Sequence, residues 1–453
     1  MFVPMPGADP GPVALEEPQL FPLSANSLAE LRGLIHDRLA VIDAGHELPP
    51  LQEFCRRAAT EHPHRAVRTG FVAGSYPALA DFLRQAGADD AEADPAPAAR
   101  EIVLVFSGQG SQWTGMGKQL ARRYPVFRAA LRDCDRAIRE HAGFSVLEQL
   151  DSPGGPRLHA TEVLQPTVLA MQVALAALWR SWGVEPDAVV GHSMGEVAAA
   201  HVAGALTLDD AARIAVRRSA LLQRLTGRGS LLVTELGPAD AAAVADGSEG
   251  RISIAAQNSP QSTVLAGDTD ALARLVGTLE QQDIYCKLVR DTVASHSAQV
   301  DELREDLHRA LADLRPMPAA LPMYSTVEAA PVQGTDLTAE YWVRNLRQPV
   351  RFAEAVHRLR ADGHGIFLEI SPHPVLLSSI RQCLAHHHLD GRALPSGRRG
   401  AEDEAMLTSA AELYALGFDL TWSAIHGNRP TPRPKAQLTA YRAALLEAVT
   451  MAR

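Results

Sequence analysis

The segment VVGHSMGEVAAA, residues 189–200, sets one serine between two glycines, after a β-branched run and before an alanine-rich stretch. Gly191-His192-Ser193-Met194-Gly195 has the G-x-S-x-G spacing of a nucleophile elbow, a strand-to-helix turn that lifts a hydroxyl above a sheet. Glycine on either side leaves no Cβ to obstruct so tight a turn. The helix expected to follow would aim its positive N-terminal end at an oxyanion formed beside Ser193. The chemistry indicated is attack of an activated serine on a carbonyl carbon.

A serine hydroxyl is a weak nucleophile without a base. His201 falls on the expected helix and is read as pointing away from Ser193. His296, in VASHSAQVD, and His373, in SPHP, share the role of base on spacing alone, with His364 on the other side of the same predicted strand as His373. Arg218, in ARIAVRRSALLQR, is a candidate clamp for a substrate carboxylate, because a guanidinium fork binds one bidentately; the alternative is a solvated helix face. GQGSQ, residues 108–112, is no phosphate loop: it lacks Gly-Lys-Ser/Thr, and Trp113 stands where G-x-G-x-x-G needs its last glycine.

The elements that must position these groups follow from periodicity. EIVLVF and AVVG read as buried parallel strands, and QPTVLAMQVALAALWRSW as a helix apolar on nearly all faces. Strands alternating with helices predict an α/β fold with a hydrolase-like parallel-sheet core, covered on both faces and spanning 101–228 and 292–391. Residues 229–291 carry four short strands and two helices in the order β-α-β-β-α-β, which predicts an inserted ferredoxin-like small subdomain. Residues 20–100 read as a separate α+β domain, opening with a capping box at Ser27 and Glu30 and closing on an acidic Ala/Pro-rich linker. Residues 1–19 read as a disordered lead-in, and 392–453 as a tail with one amphipathic helix, a Pro/Arg-rich stretch and a short final helix.

Composition bounds the function. Of the 453 residues, 46% are hydrophobic and 21% charged, and the formal net charge is −10, which disfavours nonspecific nucleic-acid binding. No continuous apolar run reaches the ~18 residues of a membrane helix. The N-terminus lacks the basic and apolar regions of a signal peptide. Cys55, Cys134, Cys286 and Cys383 are scattered without CxxC spacing, as in a reduced cytoplasmic protein without a zinc site.

Taken together, FSGQGSQWTGMG (106–117), the segment 165–211 around GHSMG, VASH (293–296), YWVRNLRQPVRF (341–352) and EISPHPVL (369–376) resemble the malonyl-CoA:acyl-carrier-protein transacylase family. The likeness is to the acyltransferase domains of modular type I polyketide synthases, and it runs from LFPLSANS to about residue 424. It implies that 20–100 is the linker domain between ketosynthase and acyltransferase, and that 392–425 is the linker that runs back along it. An excised domain is expected, a free-standing homologue being the alternative.

The resemblance assigns Ser193 as the acyl-accepting nucleophile and His296 as its base. It implies an oxyanion hole from the backbone N–H groups of Gln109 and Met194, a carboxylate clamp at Arg218, and a pocket-lining place for His192. Asn345 lies near a carbonyl that could orient His296, with the SPHP loop as the other candidate. The implied reaction is ping-pong transfer from an acyl-CoA thioester to the phosphopantetheine thiol of an acyl carrier protein. No cofactor is required, and the partners are the carrier protein, the ketosynthase and other domains of a parent synthase, with neither nucleic acid nor membrane.

In this family the residues before the histidine track the α-substituent of the malonyl unit: HAFH in malonyl-type domains, YASH in methylmalonyl-type ones. Here the motif is Val293-Ala294-Ser295-His296, with Met194 after the nucleophile. Ser295 for Phe leaves room for a branch, Val293 for Tyr widens the pocket, and methionine is adaptable. An alkylmalonyl unit larger than methyl, or broad tolerance, is therefore expected, with a methylmalonyl-specific enzyme as the alternative. A serine thioesterase would need an acid between Ser and His in chain order, for which Asp291 is the nearby candidate. A non-catalytic docking module would suit the linkers and leave the Ser193, His296 and Arg218 set unexplained.

Overall fold

The computed structural model describes residues 17–45, 47–88, 100–152 and 157–427. The expected lead-in before residue 17, the linker 89–99 and the Pro/Arg-rich stretch with its final helix lie outside the described residues.

The described chain divides into two compact units. The smaller begins with β1 (Gln19–Ala25), α1 (Leu28–Asp43), α2 (Leu51–Thr60), β2 (Val67–Ala73) and α3 (Tyr76–Ala88), the two strands pairing antiparallel. Ser27 caps α1, its Oγ accepting the Glu30 N–H at 3.2 Å; the Glu30 carboxylate reaches Asn26 N–H at 2.9 Å and so closes the box one residue earlier than the motif predicts. Phe21, Leu31, Ile35, Phe54, Leu79 and Leu83 form this unit's core, with Phe21 stacked on Phe54.

The larger unit opens with β3 (Glu101–Phe106), α4 (Lys118–Arg123), α5 (Pro125–Ala142), α6 (Val146–Asp151), α7 (Thr161–Ser181), β4 (Ala188–Gly191), α8 (Gly195–Val202) and α9 (Leu208–Gln223). β5 (Gly229–Thr234), α10 (Pro238–Asp246), β6 (Ile252–Ser259), β7 (Ser262–Gly267), α11 (Thr269–Glu280) and β8 (Cys286–Thr292) follow as a block. Then come α12 (Arg304–Ala310), β9 (Met323–Ser325), β10 (Ala330–Val332), α13 (Ala339–Arg347), α14 (Phe352–Ala361), β11 (His364–Ile370), α15 (Leu377–His386) and β12 (Arg392–Pro395). The chain closes with α16 (Glu402–Ala415), shared between the units, and α17 (Trp422–His426) in the smaller one. There Tyr414 and Trp422 pack against His64, whose Nδ1 lies 2.5 Å from the Tyr414 hydroxyl.

The main sheet has the order β10-β9-β4-β3-β11-β12. Its five strands from β9 to β12 are parallel, and β10 is antiparallel to β9. The sheet is thus mixed where an all-parallel one was expected. A second correction concerns β12, which pairs with β11 and places the unit boundary near residue 406 rather than at 391. A 3-10 turn, Ala298–Leu303, precedes α12. α7 has the length and mean hydropathy of a membrane span although Glu162, Gln165, Gln172 and Arg180 interrupt its apolar runs, and it is buried almost throughout as the core helix of this unit.

The block 229–292 forms a separate antiparallel sheet, ordered β6-β7-β5-β8, with a core from Leu232, Leu265, Leu272 and Leu279 beneath α10 and α11. It joins the large sheet's neighbourhood through Val350, which exchanges backbone hydrogen bonds of 2.9 Å with Ala255 and Gln257 of β6.

β3, β4 and β11 are adjacent and parallel, so their C-terminal ends open at one edge. That edge is where ligands bind in open α/β sheets. The loops leaving these strands are GQGSQ, the elbow and SPHP. A Cβ on Gly195 would lie 2.1 Å from Phe106 O, and one on Gly191 2.2 Å from Glu196 N. Gly195→Ala is therefore expected to cost more than ~4 kcal/mol or to prevent folding, a loss read directly by denaturant unfolding beside wild type.

Candidate active site

Ser193 turns the corner between β4 and α8 with φ 55°, the left-handed region that a side chain adopts only under constraint. The corner is clamped from below. Thr326 Oγ1 donates to Glu196 Oε1 (2.5 Å) and lies 3.1 Å from Gly191 O, Thr326 N–H donates to the same Glu196 oxygen (2.6 Å), and Tyr341 OH donates to Glu196 Oε2. Asn345 Nδ2 donates to the Ser193 carbonyl at 3.2 Å. Glu196 is fully buried and its pKa is raised by that burial, opposed by its hydrogen bonds. The sequence reading passed over Glu196; a carboxylate opening an apolar helix was the available signal.

His296 also has a left-handed backbone, φ 61°. Its Nε2 lies 2.7 Å from Ser193 Oγ and its Nδ1 2.7 Å from Gln348 O. A carbonyl only accepts, so Nδ1 carries the proton and Nε2 presents its lone pair to the serine. Burial, then the charge of Arg218, push the imidazole down to about 3, partly offset by Gln348 O. His296 is therefore a neutral base at physiological pH.

Gln348 is in position because Pro349 follows it. A residue before proline is driven to extended backbone, here φ −80° and ψ 154°, which ends α13 at Arg347. Leu346 O accepts His296 N–H at 3.1 Å, so one short segment fixes both backbone and ring. Of the two candidate sites for the orienting group, the carbonyl near Asn345 is the one the structure supplies. His373 Nδ1 instead accepts Arg399 N–H at 3.3 Å, and His201 Nδ1 meets Leu206 O at 3.1 Å.

Arg218, on α9, is 2% exposed. It donates to Gln165 Oε1 at 2.7 Å and to Ser193 Oγ at 3.2 Å, while its Nε has no partner among the described residues. Burial lowers it to about 10, with Glu196 acting the other way, so it stays charged at neutral pH. The solvated-face reading is thereby excluded. Gln165 was missed, although a glutamine inside an otherwise apolar helix was visible.

These groups line one cavity of about 550 Å³ that also takes in Gln109, Met194 and His192. Among the described residues neither the Gln109 nor the Met194 N–H donates to a backbone carbonyl in a turn or loop. His192 Nε2 lies 2.8 Å from Asn258 Oδ1, and burial lowers its pKa. Leu231, Val233, Val264 and Val289 form an apolar wall from the small sheet. Ser295 lines the cavity; Val293 and Ala294 do not. Val293 is 5% exposed, and Ala294 packs with Ala255 and Ala266. Of the three residues before His296, Ser295 alone lines the cavity, with Val293 and Ala294 packed behind it. Met194 lines it while resting on Leu164 and Val168 of α7.

Fold and site define an α/β protein built around a hydrogen-bonded serine–histidine pair beside a buried arginine, the equipment for acyl transfer. The chain belongs to the acyl transferase domain family of modular type I polyketide synthases, residues 103–419 matching the family's acyl transferase domain. It is 40% identical over 384 residues to erythronolide synthase EryA2 of Saccharopolyspora erythraea, covering 82% of this chain and 11% of that protein. The chain thus spans about a tenth of the length of that relative. Among solved structures it resembles the acyltransferase domain from module 8 of the salinomycin polyketide synthase, with a TM-score of 0.81, 33% identity, and coverage of 90% and 98% of the two chains. It also resembles the acyl transferase domain of SpnD in complex with 2-(pent-4-yn-1-yl)malonyl, with a TM-score of 0.78, 25% identity, and coverage of 90% and 97%.

Proposed function

We propose that this chain moves an α-substituted malonyl unit from CoA to the phosphopantetheine thiol of an acyl carrier protein, through an ester on Ser193. The observation that carries the reading is the double engagement of one hydroxyl: Ser193 Oγ sits 2.7 Å from His296 Nε2 and 3.2 Å from an Arg218 nitrogen. Base and carboxylate clamp thereby converge on one attacking atom.

His296 takes the serine proton as Oγ attacks the thioester carbon. The Gln109 and Met194 N–H groups receive the oxyanion, the C–S bond breaks, and the imidazolium returns its proton to the leaving thiolate. Arg218 holds the free carboxylate of the acyl-serine. The carrier's thiol then gives its proton to His296 and reverses the sequence. Thioester, ester and thioester are close in energy, so the cycle runs without a cofactor. His192, fixed by Asn258, supports the pocket wall.

The acyl unit read from this site is an alkylmalonyl larger than methyl, or a range of them. Support comes from small Ser295 and unbranched Met194 on a cavity of about 550 Å³. The SpnD acyl transferase domain is in complex with such a unit, 2-(pent-4-yn-1-yl)malonyl. A hydrophobic pocket discriminates one methylene by only about 1–3 kcal/mol, so breadth is the natural outcome of width. The order β6-β7-β5-β8 supports reading the small subdomain as ferredoxin-like, and residues 20–88 with 407–427 as linker segments of a synthase.

Intact-protein mass spectrometry tests the reading. The chain is offered an equimolar mixture of malonyl-, methylmalonyl- and longer alkylmalonyl-CoA. Mass added by the longer units, and absent in Ser193→Ala, is expected. Adducts from malonyl or methylmalonyl alone would keep the enzyme class and discard the wide pocket. No persistent adduct from any donor would favour a hydrolase.

A further inference from the structure

The cavity has a wall that the reaction above does not use. Val375, Leu376, Ser378, Ser379 and Gln382 line it, from the end of the SPHP loop and the first turns of α15. One buried carboxylate organises that wall. Glu369, at the end of β11, is 0% exposed. Its Oε1 accepts from Val375 N–H at 2.8 Å and Ser371 Oγ at 3.0 Å, and its Oε2 accepts from Leu376 N–H at 3.0 Å. Leu376 is the N-cap residue of α15 and has no side-chain capping group, so Glu369 does what a capping side chain would do.

The same loop buttresses the segment that carries Gln109. Trp113 Nε1 donates to Pro372 O at 3.2 Å. A Cβ placed on Gly110 would lie 4.0 Å from Val375 Cγ1, so the two loops run side by side. From behind, the loop is closed by Gly397, where a Cβ would fall 2.8 Å from Pro372 O and 2.9 Å from Ser371 O. The SPHP loop is thus contacted from three sides, by Glu369, by Trp113 and at Gly397, and two of the residues it meets, Gly110 and Trp113, lie within four positions of Gln109.

We propose that Glu369 is a positioning residue for acyl transfer: by holding the 371–376 loop it sets the place of the Gln109 backbone N–H relative to Ser193. The inference rests on the transferase reading and on the oxyanion role of Gln109 within it. Such a donor works in the transition state more than in the ground state, so its misplacement lowers the rate of acylation and leaves substrate binding nearly unchanged.

Glu369→Gln tests this. The amide has the same shape but sets an N–H₂ against a backbone donor of the loop, and the loop must shift. The acylation rate constant of Ser193 is measured by rapid quench and intact mass over a range of malonyl- and methylmalonyl-CoA concentrations, on protein matched for folded fraction by circular dichroism. The expected result is a rate constant lower by about 10- to 100-fold, with half-saturating donor concentration within about threefold of wild type. A rate constant within twofold of wild type, or an effect confined to donor affinity, overturns the proposal. If Glu369→Gln does not fold, Trp113→Phe removes the brace at Pro372 O while keeping an aromatic ring there; a loss of about 3- to 10-fold in the same rate constant supports the proposal and an unchanged rate overturns it. A wild-type chain that forms no acyl-serine overturns the transferase reading along with this one, whereas normal wild-type acylation with an unaffected variant overturns this one alone.

Discussion

Replacing His296 with alanine is expected to slow formation of the acyl-serine by about 10³-fold or more, and to remove the acid limb of its pH profile. The wild-type limb itself has an unusual place. Burial and the neighbouring Arg218 hold the imidazole down to about 3, so the base stays neutral far below the usual histidine range. The working form is the deprotonated one, so activity is lost only as the pH falls toward that value. At the other end Arg218 keeps its charge up to about 10. Between these limits kcat/KM for a carboxylated donor should be flat, and a rate profile with an apparent pKa near 6.5 would contradict the buried, neutral base. Stability has the same sign. A histidine that ionises near 6.5 when unfolded and near 3 when folded binds more protons in the unfolded state between those values, so stability falls as the pH drops through that window. Rates at low pH therefore call for short assays after a pH jump.

The elbow was legible in the sequence because its constraint is local. Gly191 and Gly195 are required by backbone atoms within five residues or from the adjoining strand β3, and the same short segment supplies the strand and helix. The groups that orient the catalytic side chains were not legible, for two physical reasons. Gln348 acts through a backbone carbonyl, and every residue type has one. Gln165, Asn258 and Thr326 act through side chains brought in from elements far away in the chain, and a lone polar residue gives no clue to what it will face. The strands β10 and β12 are three and four residues long and each contains a proline, so their period is too short to distinguish from a loop. VASH shows a different limit. Spacing placed all four residues together at the site, but Val293 and Ala294 are buried beside the cavity without lining it. Sequence gives neighbourhood; the tight turn in which Ser295 N–H meets Val293 O at 2.8 Å decides which side chain faces the cavity.

Arg218→Ala should separate donors by their chemistry. The guanidinium is almost wholly buried, and two of its nitrogens are engaged by Gln165 and Ser193, while Nε has no partner among the described residues. Glu196 favours its charge through the field, but none of the ion pairs among the described residues joins the two. A buried cation with an open donor edge suits an anion, and under the proposed function the acyl carboxylate would supply one. Without Arg218 that carboxylate would enter the cavity unpaired, which costs about 3–5 kcal/mol and corresponds to roughly 10²- to 10⁴-fold in kcat/KM for malonyl donors. Acetyl-CoA brings no carboxylate and should lose far less, so the ratio of the two donors in a competition assay moves toward acetyl. Arg218→Lys should not rescue the preference, because one ammonium cannot hold Gln165 Oε1, meet Ser193 Oγ and offer a flat two-pronged edge to a carboxylate. An equal loss for both donors would make Arg218 a structural support of the elbow instead. The competition ratio is insensitive to the fraction of folded enzyme, since both donors are read on the same molecules, and that makes it the sharper measure of what this arginine recognises.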